Sequence, residues 1–324
     1  MKIFSLVLII IFCQQLSLGQ QPKNIRSVLW KIQYPGARHT SYLLGTDHSF
    51  GQEWTNKFLI VKGLIATSDI FYSETGNSTA EDSILYSANL PPKRFSDFFG
   101  KYSDRIDSFF LSYLNAPFKP SVLINEMDNL NRQRMFIIAF CSIVEKKYKE
   151  ELLGIPVSKD FEKDAYEIMF SMDRVLELFA DSSKVKIRGL DDQRYNKQHI
   201  VDNGSADTAL IQFVNRIITF KSGNISSEIL KSQERYKRYY DGLLNMDYFK
   251  AGRSEIDWPT NVARNRRWAK LLLENLKNQN CFIAVGLGHL FLNNRYGLLD
   301  LLQRSGFKIA PVSLDSKINE AEAI

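Results

Sequence analysis

Val28-Leu29-Trp30-Lys31-Ile32 is an apolar run of strand length, and Tyr34-Pro35-Gly36 behind it carries turn residues. Ser41-Tyr42-Leu43-Leu44 then predicts the second strand of a hairpin, ending at Gly45. From Trp54 to Ala66 the spacing changes. Phe58, Val61, Leu64 and Ile65 fall on one helical face, which predicts a single helix. Asp69-Ile70-Phe71-Tyr72-Ser73-Glu74 predicts the next strand. The middle of the chain reads as helical. Ser103 stands where it can cap a helix through Leu114, a second helix follows Pro120, and Met135–Val144 is apolar enough to be buried. Helical character continues over Phe161–Phe170 and Met172–Phe179, and Val185–Gly189 interrupts it as a short strand. Leu210, Phe213, Val214 and Ile217 recur at amphipathic-helix spacing, and Asn224 is placed to cap a polar helix rich in Tyr and Lys.

The last third has the sharpest pattern. Pro259 sits where helices begin, and the helix it opens runs to about Lys277 with Asn278 to end it. Asn265, Trp268, Leu272 and Leu276 share one face of that helix. Cys281-Phe282-Ile283-Ala284-Val285 is continuously apolar, as expected of a central strand covered on both sides. A helix over Tyr296–Gln303 and a closing strand over Phe307–Val312 complete the order. Strands, a helical middle, then helix–strand–helix–strand predict an α/β (α+β) fold. A central mixed sheet is flanked by helices, with a helical insertion over roughly residues 80–250.

Composition sets the outer limits. The 324 residues are 44% hydrophobic and 24% charged, an ordinary globular balance that can bury a sizeable core. The net charge of +6 is dispersed. Lys146-Lys147-Tyr148-Lys149, flanked by Glu145, Glu150 and Glu151, predicts a solvated helix face. No clustered basic surface for nucleic acid is legible. Lys2, the apolar run Phe4–Phe12 and Ser17-Leu18-Gly19 form the three parts of a signal peptide over residues 1–19, leaving a domain over 20–324. The leader is too short to span a bilayer comfortably, and no later run is long enough, so no integral membrane segment is expected after its removal. Cys13 lacks the small residues that precede a lipoprotein cysteine. A soluble secreted or periplasmic protein is expected. Cys141 and Cys281 lie in apolar runs and are expected to be buried free thiols. Asn77, Asn203 and Asn224 head glycosylation sequons that matter only in a eukaryotic source; the Lys-rich composition and short leader fit a periplasmic one better.

The candidate chemistry lies in the histidines. The chain has four, His39, His48, His199 and His289. Leu43-Leu44-Gly45-Thr46-Asp47-His48 is an apolar strand followed by Gly, two residues and His, and Ala284-Val285-Gly286-Leu287-Gly288-His289 repeats it. Ligands bind at the carboxyl ends of strands in α/β sheets, and glycine there lets backbone come close. Glu74 also ends an apolar strand. Two imidazoles and a carboxylate compose an open site for a divalent metal.

Leu29–Ile32 with Ser41–His48 resembles the opening of TraB/GumN proteins, and Cys281–His289 with Gly297–Leu302 and Gly306-Phe307 resembles their ending. Phe95–Phe99, Lys119-Pro120, Val185–Leu190 and Arg264-Asn265 follow that family's landmarks in order. The family is similar to Tiki-type metalloproteases and, more distantly, to an erythromycin-esterase/haem-binding-protein fold. The resemblance implies an exported metal-dependent hydrolase, a peptidase or amidase. His48, Glu74 and His289 would hold a divalent ion (Mn, Co or Zn), and Arg264 and Asn265 would stand beside it as catalytic residues. The substrate would be a peptide or small molecule. Glu74 has an alternative role as proton carrier, which would leave ligation to the histidines with Asp47 or Asp191. Where many relatives carry Gly-Leu-Glu, this chain has Gly189-Leu190-Asp191, so Asp191 or Asp192 reaches one bond less far. The rival reading is a non-enzymatic protein that sequesters a peptide signal or haem in the same cleft, motivated by the Tyr-rich segment Tyr236–Tyr248. A third is a structural relative with no ligand.

Overall fold

β1 (Leu29–Gln33) and β2 (Ser41–Thr46) pair antiparallel, with Leu29 opposite Leu44 and Ile32 opposite Ser41, as the hairpin pattern predicts. The structure is a computed structural model that describes residues 27–47, 50–74, 91–154, 171–191, 227–243, 259–292 and 295–314. The expected leader, the helices expected over Phe161–Phe170 and Leu210–Ile217, the expected Asn224 cap, the three sequons, His48, Asp192 and His199 lie outside those residues.

Four more strands join the hairpin: β3 (Ile70–Ser73), β4 (Lys186–Gly189), β5 (Cys281–Gly286) and β6 (Lys308–Val312). The six form one mixed sheet in the order β4-β3-β5-β2-β1-β6. β5 runs parallel to both neighbours, β2 and β3, and β4 runs parallel to β3. Only β1, paired antiparallel with β2 and β6, runs against the rest. The carboxyl ends of β2, β3, β4 and β5 therefore share one edge of the sheet. The central place of β5 explains its unbroken apolar run, since Cys281–Val285 is fully buried. Each large apolar side chain buried there contributes roughly 1.5–3 kcal/mol. That outweighs differences in strand propensity, which span about 1 kcal/mol.

The helix expected over Trp54–Ala66 is two: α1 (Gln52–Lys57) and α2 (Leu59–Ala66). Phe58 breaks it with a non-helical ψ of 74°, and its ring packs 4.7 Å from Trp54, so both aromatics turn inward. α3 (Phe95–Phe99), α4 (Ser103–Leu114), α5 (Pro120–Glu126) and α6 (Leu130–Leu153) pack around a second apolar cluster of Phe95, Phe99, Phe110, Phe140 and Tyr148. Ser103 is the first residue of α4 rather than its cap, and its hydroxyl donates back to the Gly100 carbonyl. α7 (Met172–Ser182), α8 (Ser227–Tyr240), α9 (Pro259–Asn275), the single turn α10 (Leu287–Leu290) and α11 (Leu298–Arg304) complete the described helices. Cys281 is a free thiol whose pKa burial pushes up to about 12; Cys141 lies on α6. Among the described residues, no helix is long and apolar enough to cross a membrane.

Candidate active site

The shared carboxyl edge gathers the candidate residues. Glu74 follows β3, Asp191 follows β4 by two residues, and His289 sits in α10 directly beyond β5. The β3–β4 pairing continues past the strands, with the Asp191 amide donating to the Glu74 carbonyl at 2.8 Å. Glu74 also joins β3 to β5: its Oε1 accepts from the Gly286 amide at 2.7 Å. α9 lies over this edge. Its Arg264, Asn265 and Trp268 stand at i, i+1 and i+4, and all three reach the strand ends.

His289 is held by two of those side chains. Asn265 Nδ2 donates to the carbonyls of His289 (2.8 Å) and Tyr296 (2.7 Å). That leaves Asn265 Oδ1 as an acceptor, 2.7 Å from His289 Nδ1, so Nδ1 carries the proton. In the neutral ring Nε2 is then the bare nitrogen. It lies 3.2 Å from Arg264 Nη1 and 3.8 Å from Glu74 Oε1. The fully buried Asn265, expected to face inward and to stand beside the ion as a catalytic residue, thus fixes both the tautomer and the direction of the ring.

Arg264 is the centre of the charge network. Nη2 donates to Glu74 Oε2 and to Asp191 Oδ2, both at 2.5 Å, and Nε donates to Asp191 at 3.1 Å. The guanidinium carbon stands 4.5 Å from the Trp268 ring centre, and that ring lies 4.5 Å from the imidazole of His289. Burial works against the charge of Arg264, but Glu74 and Asp191 outweigh it and hold its pKa above the usual guanidinium value. Asp191 also accepts from Trp268 Nε1 at 2.8 Å and from Arg267 at 3.2 Å. The carboxylate considered as a metal ligand is therefore surrounded by donors, and its place is that of a guanidinium holder.

Asp47, the other considered ligand, is also engaged. Its carboxylate pairs at 2.9 Å with Lys149 of α6, which Glu145 joins at 3.0 Å and the Tyr236 ring flanks at 4.5 Å. The run 146–149 is thus not a wholly solvated face, because Lys147 and Lys149 are buried. Asp47 precedes His48, which lies outside the described residues. His39 lies elsewhere in its contacts, its Nε2 meeting the Leu276 carbonyl at 3.1 Å. Gly45, first of the GxxH pattern, is needed for close approach. A Cβ there would stand 2.5 Å from Leu287 Cδ1 and 3.0 Å from Leu290 Cδ2, so the first motif makes room for the helix of the second.

α7 props the strand ends from the other side. Thr46 donates to Asp173 at 2.8 Å and Ser73 to Glu177 at 2.7 Å. Burial raises the Glu177 pKa, only partly offset by Ser73 and Arg174. A carboxyl whose folded pKa is raised contributes stability below its unfolded pKa and loses it as pH climbs through the folded value. Glu177→Gln keeps an acceptor for Ser73 and removes that loss. Thermal unfolding is expected to show a higher Tm than wild type at pH 8 and no difference at pH 4. Equal Tm values at both would discount the burial effect.

A profile of the TraB/PrgY/gumN family matches residues 28–311. The chain belongs to the TraB/PrgY/gumN family. The match covers β1 through most of β6, so this family's sheet and all the site residues described above fall within it. No curated protein and no solved structure matches the chain.

Two of the three residues expected to hold a metal in this TraB/PrgY/gumN member, Glu74 and His289, come together. Glu74 Oε1 and His289 Nε2 lie 3.8 Å apart, a carboxylate oxygen and an imidazole nitrogen of the types that divalent cations take. A bare Nε2 with Nδ1 tied to a buried amide is also the donor pattern of a metal-bound imidazole. The donor chemistry therefore fits a divalent cation. Among the described residues, no group of three or more His, Cys, Asp and Glu side chains is set to hold one.

Proposed function

We propose that this protein is an exported metal-dependent hydrolase that cleaves a peptide or amide bond at the carboxyl edge of its sheet. The observation that carries the reading is His289, oriented by Asn265 so that its bare nitrogen faces the Glu74 carboxylate. His48, Glu74 and His289 would hold the ion. When bound, it lowers the pKa of water and polarises a carbonyl. The chain's own residues do the rest. Asn265 keeps the lone pair of Nε2 turned into the site. Glu74 would supply Oε1, the carboxylate oxygen that faces Nε2. Arg264, fixed by Asp191 and backed by Trp268, presents a cation to the oxyanion that forms as the carbonyl is attacked. The leader pattern of residues 1–19 supports a secreted or periplasmic site of action.

Elemental analysis of purified protein with and without chelator, alongside cleavage assays on a peptide and amide panel, tests this. About one divalent ion per chain is expected, with turnover lost on chelation and restored by Mn, Co or Zn. His289→Ala and His48→Ala should each abolish bound metal and turnover while circular dichroism stays native. Full activity in either variant, or haem absorbance without metal-dependent turnover, sinks the assignment.

A further inference from the structure

An imidazole nitrogen has a single lone pair, and at His289 something already uses it. Arg264 Nη1 donates to Nε2 at 3.2 Å, while Nη2 of the same group donates to the Glu74 carboxylate at 2.5 Å. The guanidinium thus contacts both described residues of the proposed metal site. It is not a loose surface arginine. Asp191 grips it through Nε and Nη2, and Trp268 lies against it. The Asp191 side chain is 1% accessible and Arg264 17%.

We infer that Arg264 is the site's built-in counter-cation, and that a divalent ion entering between Glu74 and His289 must displace its Nη1 arm from the imidazole. The inference rests on the metal reading above and adds a property that the ligand set alone does not give, a protein cation that lowers metal affinity. Two contributions act in the same direction. The ion must break a charge-assisted hydrogen bond, and it must bind beside a fixed positive charge where solvent screens little. Asp191 makes the arrangement tunable. It keeps Nε and Nη2 anchored while Nη1 is the arm in contact with His289.

Direct Mn2+ binding tests this without any catalytic assay. Free Mn2+ is measured by electron paramagnetic resonance in titrations of wild type, Arg264→Met and Arg264→Lys. Loss of one charge-assisted hydrogen bond with its charge predicts about ten- to hundredfold tighter binding by Arg264→Met. Arg264→Lys, which keeps a charge for Asp191 but lacks the second arm, is expected to fall between it and wild type. The tighter binding must vanish when His289→Ala is added. Affinity equal to or weaker than wild type in both variants overturns the inference while leaving the metal reading intact; binding that survives His289→Ala overturns both. No Mn2+, Co2+ or Zn2+ binding by any of the proteins overturns the metal reading and the inference with it. The wild type supplies a second readout that needs no variant to fold. Zn2+ should shift the nitrogen-15 resonances of His289 Nε2 and of the Arg264 guanidinium together; movement of the imidazole alone is contrary to the inference.

Discussion

Asp191→Ala is expected to destabilise the protein by about 3 kcal/mol and to disable the site. Deleting one partner of a buried ion pair costs about 3–5 kcal/mol because the other charge is left without compensation. Three side chains depend on this carboxylate: Arg264, Arg267 and Trp268. Glu74 would still pair with Arg264, which places the loss at the lower end of that range. The indole N–H of Trp268 has no such reserve, since Trp268 is fully buried. Asp191→Asn keeps an oxygen for the indole and is expected to cost less, about 1–2 kcal/mol. Denaturant unfolding of the three proteins gives both numbers. Arg264 would lose its grip in either variant, so turnover should fall in both, including the one that stays well folded. A cost below about 1 kcal/mol for Asp191→Ala would remove the clasp from the energetics.

The second large effect concerns the link between α6 and the loop after β2. Asp47→Ala is expected to cost more than Lys149→Met, although the two changes delete the same ion pair. The reason is which charge is left behind. Lys149 has only 4% of its side chain accessible, whereas Asp47 has 21% and Glu145 43%. Burial opposes the charge of Lys149, and Asp47 and Glu145 together overcome it and raise its pKa. Removing Asp47 leaves a buried ammonium with the more exposed Glu145 and the Tyr236 ring, a cost of about 2–3 kcal/mol. Removing Lys149 leaves carboxylates that water can reach, and methionine fills the space of the alkyl stem, so about 1 kcal/mol is expected. Unfolding midpoints in the opposite order would show that the carboxylate is the more dependent partner. Because Asp47 precedes His48, Asp47→Ala should also depress turnover more than Lys149→Met.

Much of the scaffold was legible because its signals are local. Continuous apolarity at Cys281–Val285 marks a strand covered on both faces, and β5 lies between β2 and β3. Pro259 opens α9, whose Asn265–Trp268 stripe faces inward as its spacing demands. Local signals failed where tertiary packing decides. The spacing over Trp54–Ala66 carries no mark of the break at Phe58, which follows from packing two aromatics against the same core. The run 146–149 looks solvated because charge pattern does not register a carboxylate a hundred residues away, yet Lys149 turns inward to Asp47. The i, i+4 spacing of Arg264 and Trp268 was the available sign of a stacked guanidinium and could have been read.

By itself, the sequence determined the strand segments, the inward face of α9 and the set of side chains able to do chemistry, since hydrophobic period and residue type are properties of short segments. It also carried the kinship with the TraB/PrgY/gumN family. Only the tertiary structure decided what each of those side chains touches. Glu74, Asp191, Arg264 and His289 are spread over more than two hundred residues, and parallel pairing of β3, β4 and β5 with α9 above them sets their mutual distances. Roles in a charge cluster depend on those distances, because a carboxylate facing a guanidinium and one facing a bare imidazole are the same residue in a sequence and different groups in a site.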